Sequence, residues 1–140
     1  MMKKLPFCKQ MSKHGCGPAC LVMVKEFYGK QCSNDDILKK FSCSEMASIY
    51  DLVKVAETIG FKAEAVWVTL KDFIQLNKFP CIVWFQNNHY VVVYQKTEKG
   101  FYVADPGLHF KEYPVKQFKC YWLKDMEKGI CIVFDVIELN

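Results

Sequence analysis

The sequence predicts an α+β domain. Two patterns carry that prediction. Apolar residues recur at helical spacing through roughly the first sixty residues, and short apolar runs broken by turn residues fill the remainder. A third observation is size: 140 residues suffice for one core but not comfortably for two. The expected organisation is a single domain over 1–140. A helical part at about 9–60 faces an antiparallel sheet at about 61–137 across a cleft.

The first helix is expected from Cys16 to Tyr28. Cys20, Leu21, Met23, Val24, Phe27 and Tyr28 repeat at helical spacing, Pro18 falls in the first turn and Gly29 ends the segment. In "SNDDILKKF", Ser33 followed by Asp36 forms a capping-box pattern for a second helix. "SIYDLVKVAETIGF" reads as a third, with Ile49, Leu52, Val53, Ala56 and Ile59 inward and Gly60 as its stop. Strands are then expected at "FKAEAVWV", "PCIVWF", "YVVVYQK", "FYVAD", "HFKEY" and "GICIVFDVIEL". A short helix, "TLKDFIQL", follows the first of these and a helical turn, "PVKQF", precedes the last. The helices come first and the strands then form a meander.

Composition excludes several classes. Hydrophobic residues make up 51% and charged residues 24%, a balance that favours a packed core over disorder. The net charge of +4 is spread over scattered lysines with no basic block, so nucleic acid is not an expected partner. No run of about 18 apolar residues occurs, so this segment is not expected to insert into a membrane. "MMKKLPFCKQM" lacks the apolar stretch of a signal peptide, which points to a cytosolic setting. Eight cysteines in such a chain do not make a disulfide framework. The nearest pair, Cys16 and Cys20, has no second pair to complete a zinc site, so no metal is expected. Cys81 and Cys131 lie in apolar runs and read as small buried hydrophobes.

Cys16 differs from the others. It stands between Gly15 and Gly17 where a helix begins, and unpaired N–H groups with partial positive charge acidify a thiol there. The flanking glycines suggest room for a substrate carbonyl. A thiol nucleophile needs a base. His14 is too close in sequence to face Cys16, and His109 follows a turn. His89, at the start of "HYVVVY", is the remaining candidate, although a histidine at a strand start also serves structure. "HYVVVYQKTEKGFYVAD" reads as a hairpin whose outer ends, His89 and Asp105, meet on neighbouring strands. Asp105 would then orient the base, shape the Asp-Pro-Gly turn, or both. The Cys16 N–H and the Gln10 side-chain amide, six residues upstream, could serve as oxyanion donors.

These segments together resemble the bacteriocin-processing cysteine peptidases, a papain-like family that in many members forms the N-terminal part of a peptidase-containing ABC transporter. The resemblance rests on "QMSKHGCGPACLVMV", "YG" at 28–29, "SNDDIL", "LVKVAETIGF", "FPCIVWFQNNHYVVVY" and "VADPG", from Lys9 to Trp122. It implies a papain-like fold with Cys16 as nucleophile, His89 as base and then acid, Asp105 as orienting group and Gln10 as oxyanion donor, with no cofactor. It also implies a substrate: a precursor peptide cut after a leader that ends in Gly-Gly. The leader would dock as an amphipathic helix on an apolar surface, for which Met46, Ile49, Tyr50 and Trp67 are candidates beside an ordinary packing role. Implied partners are the transmembrane and ATPase parts of an exporter, at the cytoplasmic face of a bacterial inner membrane. ATP binding would belong to those parts. A chain ending at Asn140 fits an excised domain or a stand-alone protease. Members often carry Asp where this chain has Gly15, and an acidic residue where it has Ser12. Two other readings remain: a non-catalytic leader-binding domain, and a thiol redox or metal protein.

Overall fold

A computed structural model describes residues 4–137. Helix α1 (Cys16–Phe27) starts after Gly15 with no side-chain cap and is buried at every position from Cys16 to Lys25. A helix buried all round must be covered on all sides. Leu5 of the N-terminal segment, α2 (Asn34–Leu38), α3 (Ile49–Thr58) and the sheet supply that cover.

Ser33 accepts the Asp36 N–H at the start of α2, which is the first half of the expected capping box. The full box occurs one helix later. Ser48 accepts from the Asp51 N–H, and Asp51 accepts from the Ser48 N–H. Leu52, Val55 and Ala56 form the buried face of α3, whereas Ile49, Val53 and Ile59 are half-buried. The apolar stripe is therefore wider than the face that packs, and part of it stays open.

The sheet departs from a simple meander. Its order is β1-β6-β2-β3-β4-β5, with β1 (Phe61–Thr69), β2 (Cys81–Phe85), β3 (His89–Lys96), β4 (Gly100–Ala104), β5 (Phe110–Pro114) and β6 (Lys128–Val136). All pairs are antiparallel. The meander holds from β2 to β5, but β6 slots between β1 and β2, aligning Phe61 with Val136 and Ile82 with Ile132. Cys131, Ile132, Val133 and Phe134 of β6 are buried, as an interior strand requires. Glu138 and Leu139, expected at the end of this strand, lie outside the described residues.

Helices α4 (Leu70–Leu76) and α5 (Val115–Leu123) cover the face opposite α1 and α3. The second of these is two turns of helix rather than the expected single turn. Val91 and Val93 belong to this second core, while Tyr90 and Val92 belong to the first. This two-sided burial explains the unbroken apolar runs of β2 and β3. Phe73, Phe101, Phe118 and Trp122 pack together in the second core, with ring centroids 4.4–5.9 Å apart.

Candidate active site

Three elements meet at one end of the sheet: the first turn of α1, the start of β3 and the end of β4. The hairpin register aligns Val92 with Ala104, which brings Asp105, just past the end of β4, to the start of β3, where His89 stands. The His89 Nε2–H donates to Asp105 Oδ1 at 2.6 Å. Asp105 is buried, and its Oδ1 also accepts the Gly107 N–H at 2.8 Å. The carboxylate therefore both orients the imidazole and shapes the turn. Because Asp105 holds Nε2, the other ring nitrogen is left for Cys16, and the thiol and imidazole are hydrogen-bonded.

The electrostatics follow from this contact. Burial pushes the Cys16 thiol up, but the His89 hydrogen bond and the main-chain N–H groups of Tyr90 and Gly17 outweigh it. The thiol ends below its ordinary value. Burial lowers His89, yet its bonds to Asp105 and Cys16 raise it to about 9. The contact thus makes the thiol more acidic and the imidazole more basic than either is alone. The other displaced cysteines move the opposite way: Cys8, Cys20 and Cys81 are all raised, burial being the largest cause in each. Cys81 and Cys131 are fully buried side by side in the second core.

Gln10 belongs to the same cluster. Its main-chain N–H donates to Pro106 O at 2.9 Å, tying its loop to the turn after Asp105. Its side-chain Nε2–H donates to Ser12 O at 2.9 Å, and that oxygen also accepts the Gly15 N–H at 3.1 Å. The amide nitrogen therefore lies on the Cys16 side of the loop, with one hydrogen uncommitted. Ser12 contributes through its main chain.

The glycines play roles that the sequence did not assign. A Cβ on Gly17 would meet Tyr90 Cδ2 at 3.2 Å, Leu52 Cδ2 at 3.3 Å and Ala47 Cβ at 3.5 Å. A Cβ on Gly15 would meet main-chain atoms of Met11 and Ser12 at 3.3 Å. Both serve close packing of the turn, not clearance for a substrate. The glycine beside the triad is Gly107, whose Cβ would lie 3.1 Å from Gln10 Oε1 and 3.5 Å from His89 Cε1. Its signal was the Asp-Pro-Gly turn, read only as a turn. Tyr90 was also missed. It is buried, faces Gly17, and donates its hydroxyl to Ala47 O at 2.9 Å, locking the segment before α3 to the strand that carries His89.

The four candidates for an apolar surface lie apart from this cluster. Tyr50 and Trp67 are 68% and 51% exposed, whereas Met46 and Ile49 are half-buried against the first core. Strand alternation puts Trp67 on the α3 side of β1, along with Phe61 and Ala63. Elsewhere, His109 stacks on Phe7 with ring centroids 4.5 Å apart. His14 lines an apolar pocket beside the Gln10–Gly15 loop.

A thiol paired with an imidazole at a helix start, with a carboxylate behind the imidazole, is the arrangement of a thiol hydrolase. The sequence matches the Peptidase C39 family over residues 4–126, and the chain belongs to that family of cysteine peptidases. It is 28% identical over 106 residues to the colicin V secretion/processing ATP-binding protein CvaB of Escherichia coli, covering 75% of this chain. It is 31% identical over 108 residues to the pediocin PA-1 transport/processing ATP-binding protein PedD of Pediococcus acidilactici, covering 71%. The chain spans only about 15% of the length of these relatives. Among solved structures it resembles a double glycine motif protease from an AMS/PCAT transporter in complex with the leader peptide. The TM-score is 0.83 at 25% identity, over 96% of this chain and 93% of that one. The peptidase domain of Streptococcus ComA, a bi-functional ABC transporter, shares the fold with a TM-score of 0.80 at 20% identity, over 98% and 100%. The fold is therefore papain-like α+β. Among the described residues no helix is long and apolar enough to cross a membrane.

Proposed function

We propose that this chain removes the leader from a precursor peptide by cutting after a Gly-Gly pair, with Cys16 as nucleophile. The carrying observation is the bonded row Cys16–His89–Asp105, with its 2.6 Å bond. The Cys16 thiolate attacks the carbonyl carbon of the second glycine. The oxyanion that forms is met by the Cys16 N–H and the free Gln10 amide hydrogen. The His89 imidazolium then gives its proton to the departing amine, leaving a thioester. Neutral His89 takes a proton from water, the resulting hydroxide cleaves the thioester, and the thiol is restored. Asp105 keeps Nε2 occupied throughout, so the other nitrogen does the chemistry.

The leader lies on the α3 side. Tyr50 and Trp67 are exposed there, and Met46 and Ile49 extend the strip inward. An amphipathic helix fits such a surface. The relatives' names describe secretion and processing, which supports a place for this domain in an exporter at the cytoplasmic face of a membrane, beside transmembrane and ATPase parts.

Incubation with a synthetic Gly-Gly precursor, followed by mass spectrometry, tests this reading. The expected products are a leader ending in Gly-Gly and free cargo, with no product from Cys16→Ala. Tight leader binding without cleavage by the native chain would overturn it in favour of a binding domain.

A further inference from the structure

The peptide on the other side of the scissile bond also needs a path, and the sheet order defines it. His89 begins β3, with β1 and α3 to one side and the β4–β5 turn to the other. The departing amine must sit at His89 to receive its proton, and the turn at Pro106–His109 adjoins His89 through Asp105 and Gly107. That turn is held in place. The Leu108 N–H donates to Asp105 O at 3.0 Å, the Asp105 N–H to His109 O at 3.0 Å, and the Gln10 N–H to Pro106 O at 2.9 Å.

Two residues on these joined loops are conspicuously uncovered. Met11 is 86% exposed and Leu108 is 68% exposed. Single exposed apolar residues are ordinary. Here, however, two of the most exposed large apolar side chains stand on loops joined by the Gln10–Pro106 bond, and the Leu108 turn starts at Asp105, the partner of His89. Gly107, which precedes Leu108, is exposed as well. Gln10 Oε1, which lies 3.1 Å from the Gly107 Cβ position, is buried with no donor among the described residues. A buried acceptor without a donor calls for a partner.

We infer that Met11, Gly107 and Leu108 form a cargo-side subsite that selects apolar residues at the first two positions after the Gly-Gly pair, with Gln10 Oε1 accepting a main-chain N–H of the same segment. This rests on the peptidase reading above. The extended cargo passes over Gly107, where any larger side chain would narrow the path between Gln10 and His89. Successive side chains of an extended segment point to opposite sides, so one meets Leu108 and the next meets Met11. On the Met11 side an apolar pocket of about 280 Å³ lies between this loop and the segment after α2, and can take an aliphatic side chain.

The test uses synthetic precursors with one leader and Leu, Ser, Asp or Lys at the first or second cargo position, read as kcat/KM. The native chain should favour Leu over Asp by about tenfold or more, the scale of discrimination by an apolar pocket. Leu108→Lys should turn that preference toward Asp at one position, and Met11→Ser should flatten it at the other. Met126→Ser, an exposed apolar residue in the turn between α5 and β6, should keep the native profile. A flat native profile, or one unchanged in Leu108→Lys and Met11→Ser, overturns this subsite while leaving the peptidase intact. Failure of the native chain to cut any of the peptides overturns the peptidase reading and the subsite with it.

Discussion

Cys16 and His89 displace each other's protonation in opposite directions, and the pH dependence follows from that. His89 is raised to about 9, while Cys16 is lowered. The productive pair exists above the Cys16 ionisation and is lost as pH rises through the His89 value, because a neutral imidazole cannot protonate the departing amine. A profile of kcat/KM should therefore fall on its alkaline side near 9. In Asp105→Asn the charge supporting the imidazolium is gone, so the fall should move to lower pH by about one unit. An unmoved alkaline limb would show that Asp105 does not set it. Much of this site was legible in the chain. Cys16 stood out by its place at a helix start, and the hairpin implied the meeting of His89 and Asp105. Tyr90 and Gly107 were hidden because their importance lies in contacts with Ala47 and Gln10, distant in sequence.

Among the elements, α3 shows how a helix can be anchored yet leave apolar surface free. Its Ser48–Asp51 capping box fixes the N-terminal end, and Leu52, Val55 and Ala56 hold it to the core. Ser48→Ala should cost about 1 kcal/mol, measured by denaturant unfolding. If the leader docks beside this end, the same variant should weaken leader binding more than it slows cleavage of a short Gly-Gly peptide. Stability equal to that of the native chain would remove the cap's assigned role. Periodicity alone counted Ile49, Val53 and Ile59 as buried, since it reports which residues are apolar and not which are covered. A helix with an uncovered apolar strip violates that equation. The length of α5 was underestimated for the opposite reason. Only Phe118, Trp122 and Leu123 reach the core, and a sparse apolar pattern over nine residues reads as little more than a turn.

At the scale of the molecule, two cores share one sheet. The second holds no part of the triad and supports the site through the strands and through Gln86, in the turn before His89, which donates to Tyr121 O and Trp122 O of α5. Phe118→Ala should cost about 3–5 kcal/mol in unfolding experiments. While folded, the variant should retain the native alkaline limb in its pH profile. A shifted limb would mean that the second core positions the triad more directly than these links allow. The sheet order was the least legible feature. Apolar runs announce strands but do not say which neighbour each will take. The last strand here crosses back to lie between the first two instead of extending the meander.

That crossing ties activity to synthesis. Among the described residues β1 has β6 as its sole strand partner, and β6 ends at Val136. While the chain is still growing, β2 to β5 and the turn that holds Asp105 can assemble, but β1 has no strand to pair with. Contacts so distant in sequence form late. Cys16, His89 and Asp105 can therefore meet before β1 is paired. With the leader docked on the α3 side as proposed, a nascent domain would carry the means to cut before the means to choose, and its last strand would supply the choice.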